Sequence, residues 1–245
     1  MKEDHFSNGQ LKPAYNVQMS TEEEIITNYS IHQTPTDTTT YIEHTEQFNQ
    51  MYGAYPQESI ADAGYGSEEN YEYAKEKDIT PYVKFSYFHK EQTKSHKENI
   101  FNSANFYYDK EDDFFVCPMG KKMLRQGDVE NVTRTGFVQT LTSYKAINCK
   151  GCSLRYKCHK AKGDRVIHVN HNLNKHKEVA RNLLKSEKGI EHRGRRAAEV
   201  EQAFGNLKWN KKFKRFLLRG IKKLEIEFGL LVIAHNMSKY MVKMR

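Results

Sequence analysis

Four cysteines stand at 117, 149, 152 and 158, the last three as Cys149-Lys150-Gly151-Cys152 with Cys158 after five further residues. Cys117 precedes Pro118-Met119-Gly120, a turn sequence able to present a thiolate. Four thiolates are the complement of a tetrahedral structural zinc site, which can staple short strands that have little core of their own. The 31 residues between Cys117 and Cys149 exceed the common finger spacing. Packed free thiols and a redox C-x2-C pair therefore stay open beside zinc, and His159, His168 or His171 could replace one thiolate. A disulfide is disfavoured, because MKEDHFSNGQLKP lacks the apolar core of a secretion signal. With four protein ligands the metal would have no open position and no catalytic role.

A second set of residues is acidic and basic. Asp62 closes ESIADA and precedes Gly64-Tyr65-Gly66. Ligands and reactions gather at the carboxyl ends of strands in a covered sheet, and a carboxylate there suits Mg2+; the plainer alternative is a turn Asp that caps the following backbone. Glu201 lies in RGRRAAEVEQAFGNLKWNKKFKRF, beside an apolar flank of Ala197, Ala198, Val200, Phe204 and Leu207. Lys208 falls seven residues on, nearly two turns along the same side. With Arg195 and Arg196 close by, Glu201 can hold a metal while the bases hold a phosphate, or it is an ordinary rim carboxylate. In WNKKFKRFLLRG, Lys211, Lys212, Lys214, Arg215 and Arg219 alternate with Trp and Phe, which suits backbone phosphates with aromatic contacts between them. The alternative is a solvated charged face.

The elements that must position these residues can be drawn from pattern. YNVQMS (15–20) and EIITNYSI (24–31) read as a hairpin. A helix is expected from Asp37, with Ile42, Thr45, Phe48 and Tyr52 on one face. A strand over 58–63, a helix capped by Ser67 and running to about Lys77, and a strand over 80–85 follow. The order β-β-α-β-α-β implies a mixed or mostly parallel sheet covered by helices. From 86 the chain changes to aromatic-rich short strands, NFYYDK, DDFFVC, GFVQTLTSYK and RVIHVN, and from 173 to helices over about 173–186, 195–208 and 220–242. The last carries Ile221, Leu224, Phe228, Leu231, Ala234, Met237 and Met241 as one apolar stripe. The expected division is a core at 1–85, a cysteine-rich insertion at 86–172 and a helical return to the core at 173–245.

At 245 residues, the chain can build one sizeable core or two small ones. Its net charge of +8 is unevenly spread: residues 1–100 carry 8 bases against 17 acids, and 189–245 carry 14 against 5. That asymmetry favours a polyanionic partner. The longest apolar run, FGLLVIA at 228–234, is far short of a membrane span, so a cytoplasmic protein without a membrane partner is expected.

Taken in order, KPAYNVQ (12–18), NYSIHQTPTDTTT (28–40), ADAGYGSEENYEYAKE (61–76), the Cys117-Pro118…Cys149-x2-Cys152-x5-Cys158 set, RRAAEVEQAFGNLKWNKKFKRFLLRG (195–220) and FGLLVIAHNMSK (228–239) resemble the C-terminal region of bacterial insertion-sequence DDE transposases. The resemblance implies an incomplete ribonuclease-H-like α/β fold with a four-cysteine insertion, and an Asp-Asp-Glu trio holding two Mg2+ or Mn2+ ions. Asp62 matches the second aspartate and Glu201 the glutamate, with their carboxylates expected roughly 5–8 Å apart as a shared metal site requires. No position matches the first aspartate: Asp4 lies where no strand can be drawn, and Asp37 matches an aspartate that is not the first metal ligand. The chain therefore reads as truncated at its N-terminus and catalytically incomplete. Of the related Tyr-x2-Arg-x3-Glu-x6-Lys signature, Glu201 and Lys208 fit, the arginine position is Ala197 with Arg196 beside it, and no tyrosine stands near Arg193 and Gly194. Double-stranded DNA is the implied partner and a homo-oligomer the implied assembly. The other readings are a DNA-binding or oligomerising remnant without chemistry, and a zinc-stabilised structural protein.

Overall fold

The computed structural model describes residues 2–3, 9–12 and 14–244, with the backbone alone for residues 2, 3, 11, 12 and 197; Asp4 lies outside the described residues. The chain forms two compact units, one of residues 1–85 with 180–245 and the other of 86–179. It is mixed α/β, with the cysteines in a β-rich region and a helical C-terminus.

In the first unit, β1 (Asn16–Glu22) and β2 (Ile25–His32) form an antiparallel hairpin. Ser20 pairs with Asn28 but Thr21 with Ile26, so Thr27 is a bulge that turns Ile26 to the apolar face. That face packs Met19, Ile26 and Ile31 against Ala203, Leu207, Leu224, Phe228 and Val232. The opposite face is polar: Asn16, Gln18 and Ser20 stand across from His32, Ser30 and Asn28. Helix α1 (Tyr41–Tyr52) lies against β2. It begins four residues later than the sequence suggests, because Asp37 serves other ends. Its carbonyl accepts from Thr40, and its carboxylate accepts from Asn16 and Gln18.

His44 of α1 completes the polar layer. Its Nε2 is 2.6 Å from Ser20 Oγ and its Nδ1 2.7 Å from Ser30 Oγ, while Ser30 Oγ also meets His32 Nε2 at 2.7 Å. Burial, aided by His32, pushes the His44 pKa down from 6.5 to about 4. A histidine held neutral in the fold must charge on unfolding, so its contribution is present above pH 6.5 and is lost as pH falls toward 4. Between pH 7 and pH 5 the wild type is expected to lose about 2 kcal/mol more stability than His44→Gln. Urea titrations of both proteins at the two pH values check this, and parallel losses would refute it.

Strands β3 (Glu58–Ala61) and β4 (Thr80–Val83) pair in parallel around α2 (Glu68–Glu76). Ser67 caps α2 by accepting from Asn70 N–H at 3.2 Å. Gly66 allows this turn, since a Cβ there would run into Lys84 O and Phe85 Cα.

The second unit is a five-stranded antiparallel sheet. Its strands β5 (Tyr107–Asp109), β6 (Phe114–Val116), β7 (Lys122–Val132), β8 (Val138–Ala146) and β9 (Val166–Val169) pair in chain order. Its core joins Phe115, Met123, Tyr144, Ala146 and Ile167. Helix α3 (His171–Lys185) starts in this unit. A helical run follows from Glu187 to Asn210, with π-turns at Ala197–Glu201 and Asn206–Asn210. It begins eight residues before the expected 195. We label its first segment, Glu187–Arg196, α4 and the final helix, Ile221–Lys243, α5. The buried residues of α5 are Leu224, Phe228, Val232 and His235; the expected stripe is right at Leu224 and Phe228, but Ile221 at its start and Met237 and Met241 at its end are exposed.

Candidate functional site

Asp62 follows β3 directly, at the carboxyl end of the strand. The parallel register pairs Ala61 with Val83, which sets Lys84 beside Asp62, Nζ to Oδ1 3.6 Å. Glu201 ends the first π-turn. Arg196 joins the two acids: its Nη2 is 3.0 Å from Asp62 Oδ2 and its Nη1 is 3.2 Å from Glu201 Oε1. Two oxygens sharing one guanidinium lie no more than about 8 Å apart. The arginine is mostly enclosed, whereas Asp62 is half exposed and Glu201 more so.

Tyr65 lies within the field of Asp37, Asp62 and Arg196, and its hydroxyl donates to Gln18. Burial, then the two aspartates, raises its pKa far above the usual phenol range, so it remains a donor. An open cleft of about 620 Å³ adjoins Glu201, lined by Asn16, Lys208 and Trp209 among others. Lys208 Nζ sits 5.6 Å from the centre of the Phe204 ring, a cation–π distance.

Beyond the cleft, residues 211–220 form an irregular segment held down by aromatic contacts. Phe213 and Phe216 meet Phe228 with ring centres 5.9 and 6.4 Å apart, and Phe216 meets Tyr15 at 6.0 Å. The expected aromatic contacts between phosphates are therefore available from exposed Trp209 rather than from the two phenylalanines, which face inward. Lys212, Lys214, Arg215 and Arg219 are exposed, and Lys211 Nζ donates to Ser238 Oγ at 2.8 Å.

All four cysteines are free thiols lining one cavity of about 20 Å³ in the second unit, room for about one water-sized body. Arg165 Nη1 donates to Cys158 Sγ at 2.9 Å, and Arg165 N–H to Cys149 Sγ at 3.4 Å. Of the three histidines considered as substitutes, His159 lines the same cavity, with both ring nitrogens buried and unbonded. Burial first, then Arg155 and Arg165, lowers its pKa. His171 instead bonds Tyr144 Oη at 2.8 Å, and His168 is exposed on β9. The thiols fit zinc in kind and number, but among the described residues no three His, Cys, Asp or Glu side chains form a metal-holding group, here or around Asp62 and Glu201.

Lys84, Asn16, Gln18, Asp37 and Tyr65 are neighbours of the acidic pair that sequence reasoning did not single out as a set. Lys84 could have been found by drawing β3 and β4 as equal parallel strands. No helix of the described residues is long and apolar enough to cross a membrane.

No curated protein and no solved structure matches the chain. The profile of the transposase DDE domain matches residues 116–241, a span that holds the four cysteines, Arg196, Glu201, Lys208 and the basic segment, with Asp62 outside it. More than half of the chain is covered by that match, and the chain belongs to the transposase DDE domain family.

Proposed function

We propose that this chain handles DNA as a DDE-type transposase does, with Asp62 and Glu201 as two carboxylates of a metal-dependent phosphoryl-transfer site. The observation that supports it most is the meeting of Asp62 and Glu201, from opposite ends of the sequence, on the single side chain of Arg196. Mg2+ or Mn2+, when bound, would supply a polarised nucleophile and a stabilised leaving oxygen. Asp62 and Glu201 would hold the ions, and Arg196 and Lys208 would orient backbone phosphates beside the cleft. The Arg196 guanidinium offsets the charge of the two acids, which would otherwise repel each other. In the second unit, Cys117, Cys149, Cys152 and Cys158 would hold a structural zinc ion.

A reading without chemistry, as a DNA-binding remnant, is favoured by one observation: among the described residues, two carboxylates, those of Asp62 and Glu201, meet at Arg196. Mn2+ binding followed by electron paramagnetic resonance separates the two. On the catalytic reading, Arg196→Gln tightens Mn2+ binding about tenfold by removing a competing cation, while Asp62→Asn and Glu201→Gln weaken it by a similar factor. Metal-dependent nicking of duplex DNA lost in Glu201→Gln would add the reaction itself. Mn2+ binding indifferent to all three changes would leave the remnant reading.

A further inference from the structure

The hairpin of β1 and β2 closes on a two-residue turn, since Glu22 pairs with Ile25. Both turn residues, Glu23 and Glu24, lie in the left-handed region, with φ of 49° and 68°. Such turns favour Asn-Gly, and two glutamates there are strained. Strain of this kind persists where the surroundings fix it, and it gathers beside functional sites. Here the helical run and α5 do the fixing. The Glu24 N–H donates to Glu199 Oε2 at 2.7 Å, and the Glu24 carbonyl accepts from Nε2 of fully enclosed His235 at 2.9 Å. The Glu24 carboxylate pairs with Lys239.

These contacts reach both π-turns. Glu199 lies inside the first, Ala197–Glu201. His235 Nδ1 accepts from Asn206 Nδ2 at 3.0 Å, and Asn206 opens the second, which carries Lys208. A π-turn is rare beside an α-turn and recurs at functional sites, so its retention calls for a fixed point. We propose that Glu199 is a positioning residue of the acidic site: by accepting the Glu24 N–H it fixes the first π-turn, and with it the direction in which Glu201 meets Arg196. Glu201 follows two residues on, 3.2 Å from Arg196 Nη1. Were the turn to close into a regular α-helix, side chains five residues apart would diverge, and the guanidinium would be left to Asp62. Val200, between the two glutamates, packs on the core, so the turn is gripped from two sides. For the metal this inference rests on the phosphoryl-transfer reading; the turn itself is tested without metal.

Amide hydrogen exchange of the full chain, followed by mass spectrometry, reads the turn. Glu199→Ala should speed exchange in peptides covering 197–206 by about tenfold, as loss of a hydrogen bond to a charged acceptor implies, and leave the sheet of the second unit unchanged. Glu199→Gln removes the same charge but keeps an accepting oxygen, and should exchange as the wild type does. Mn2+ binding then reads the site. The tightening caused by Arg196→Gln, about tenfold in the wild type, should fall to about threefold in Glu199→Ala, where the guanidinium opposes the metal at one carboxylate instead of two, and return to about tenfold in Glu199→Gln. Exchange unchanged in Glu199→Ala, or speeded equally in Glu199→Gln, would overturn the assignment. So would an Arg196→Gln effect that stays tenfold in Glu199→Ala. Mn2+ binding indifferent to Asp62→Asn and Glu201→Gln would end the metal reading alone, and the exchange result would still decide whether Glu199 holds the turn.

Discussion

A chain carrying Gln at 211, 212, 214 and 215 is expected to bind duplex DNA more weakly than the wild type and with a flatter salt dependence. Each lost phosphate contact lowers the log-log slope by roughly 0.9. If all four bases contact phosphate, the wild type should lose roughly a hundredfold more affinity than the variant between 50 and 200 mM salt. The geometry favours a concerted effect. Phe213 and Phe216 pin the segment to Phe228, and the Glu227 carboxylate accepts from Leu217 N–H at 2.8 Å and Leu218 N–H at 3.0 Å. The charges are thus carried on a fixed backbone that loses little freedom on binding. Lys211, half-buried and bonded to Ser238, should contribute least of the four. Binding isotherms at several salt concentrations measure the slope directly, and an unchanged slope in a folded variant would leave the segment as solvated surface.

Local chemistry made some elements legible and concealed others. Ser67 before two glutamates signals a helix start, and the structure keeps that cap because the hydroxyl finds Asn70 N–H within one turn. Asp37 carries the same kind of signal, yet Asn16 and Gln18 claim its carboxylate from a strand 21 and 19 residues away. A cap preference is worth only about 1 kcal/mol, so a pair of tertiary hydrogen bonds overrides it. The eleven-residue strand β7 escaped notice because KMLRQGDVENV is exposed at all but Met123. Its order comes from pairing with β8, and no alternation of apolar residues announces it.

In the candidate site, Asp62 and Glu201 were readable singly, one from a strand end and one from a helix border. The π-turn at Ala197–Glu201 was not, and it changes the side-chain spacing. In a regular α-helix Arg196 and Glu201, five residues apart, point in directions that diverge; the wider turn aligns them, and the guanidinium reaches Glu201 at 3.2 Å. The polar face of β1 and β2 was hidden for the converse reason. Its Asn, Gln, Ser and His residues read as solvent-facing until α1 and the turn at Tyr65 are laid over them. The expected stripe of helix α5 fails at Ile221 and again at Met237 and Met241, which are exposed, because the apolar residues of the helix exceed what one stripe can hold.

Zinc supplied to the reduced chain is expected to bind one ion per chain and to raise the unfolding temperature of the cysteine-bearing unit, and a chelator should reverse both. Apparent binding energies of structural zinc reach about 10 kcal/mol, more than the small core of Phe115, Met123, Tyr144, Ala146 and Ile167 need supply for the gain to dominate. The thiols share one cavity, but among the described residues no three of them stand as a metal-holding group, so binding requires them to close in. Arg165 must release Cys158, to which it donates at 2.9 Å, and the thiols must lose their protons, which makes binding weaken as pH falls. Cobalt in place of zinc reports the donors, because each thiolate adds to its near-ultraviolet charge-transfer band. With four cysteines as ligands, Cys158→Ser should weaken that band and His159→Ala should leave it unchanged; with His159 as the fourth ligand, Cys158→Ser should leave the band unchanged and His159→Ala should instead lower the affinity for cobalt. Cys149→Ser should lower affinity in either case, since Cys149 lies between Arg165 N–H at its sulfur and Asp164 at its backbone N–H. Reduced protein that takes up no zinc, with its unfolding temperature indifferent to the metal, would mean that these thiols act as packed side chains around Arg165.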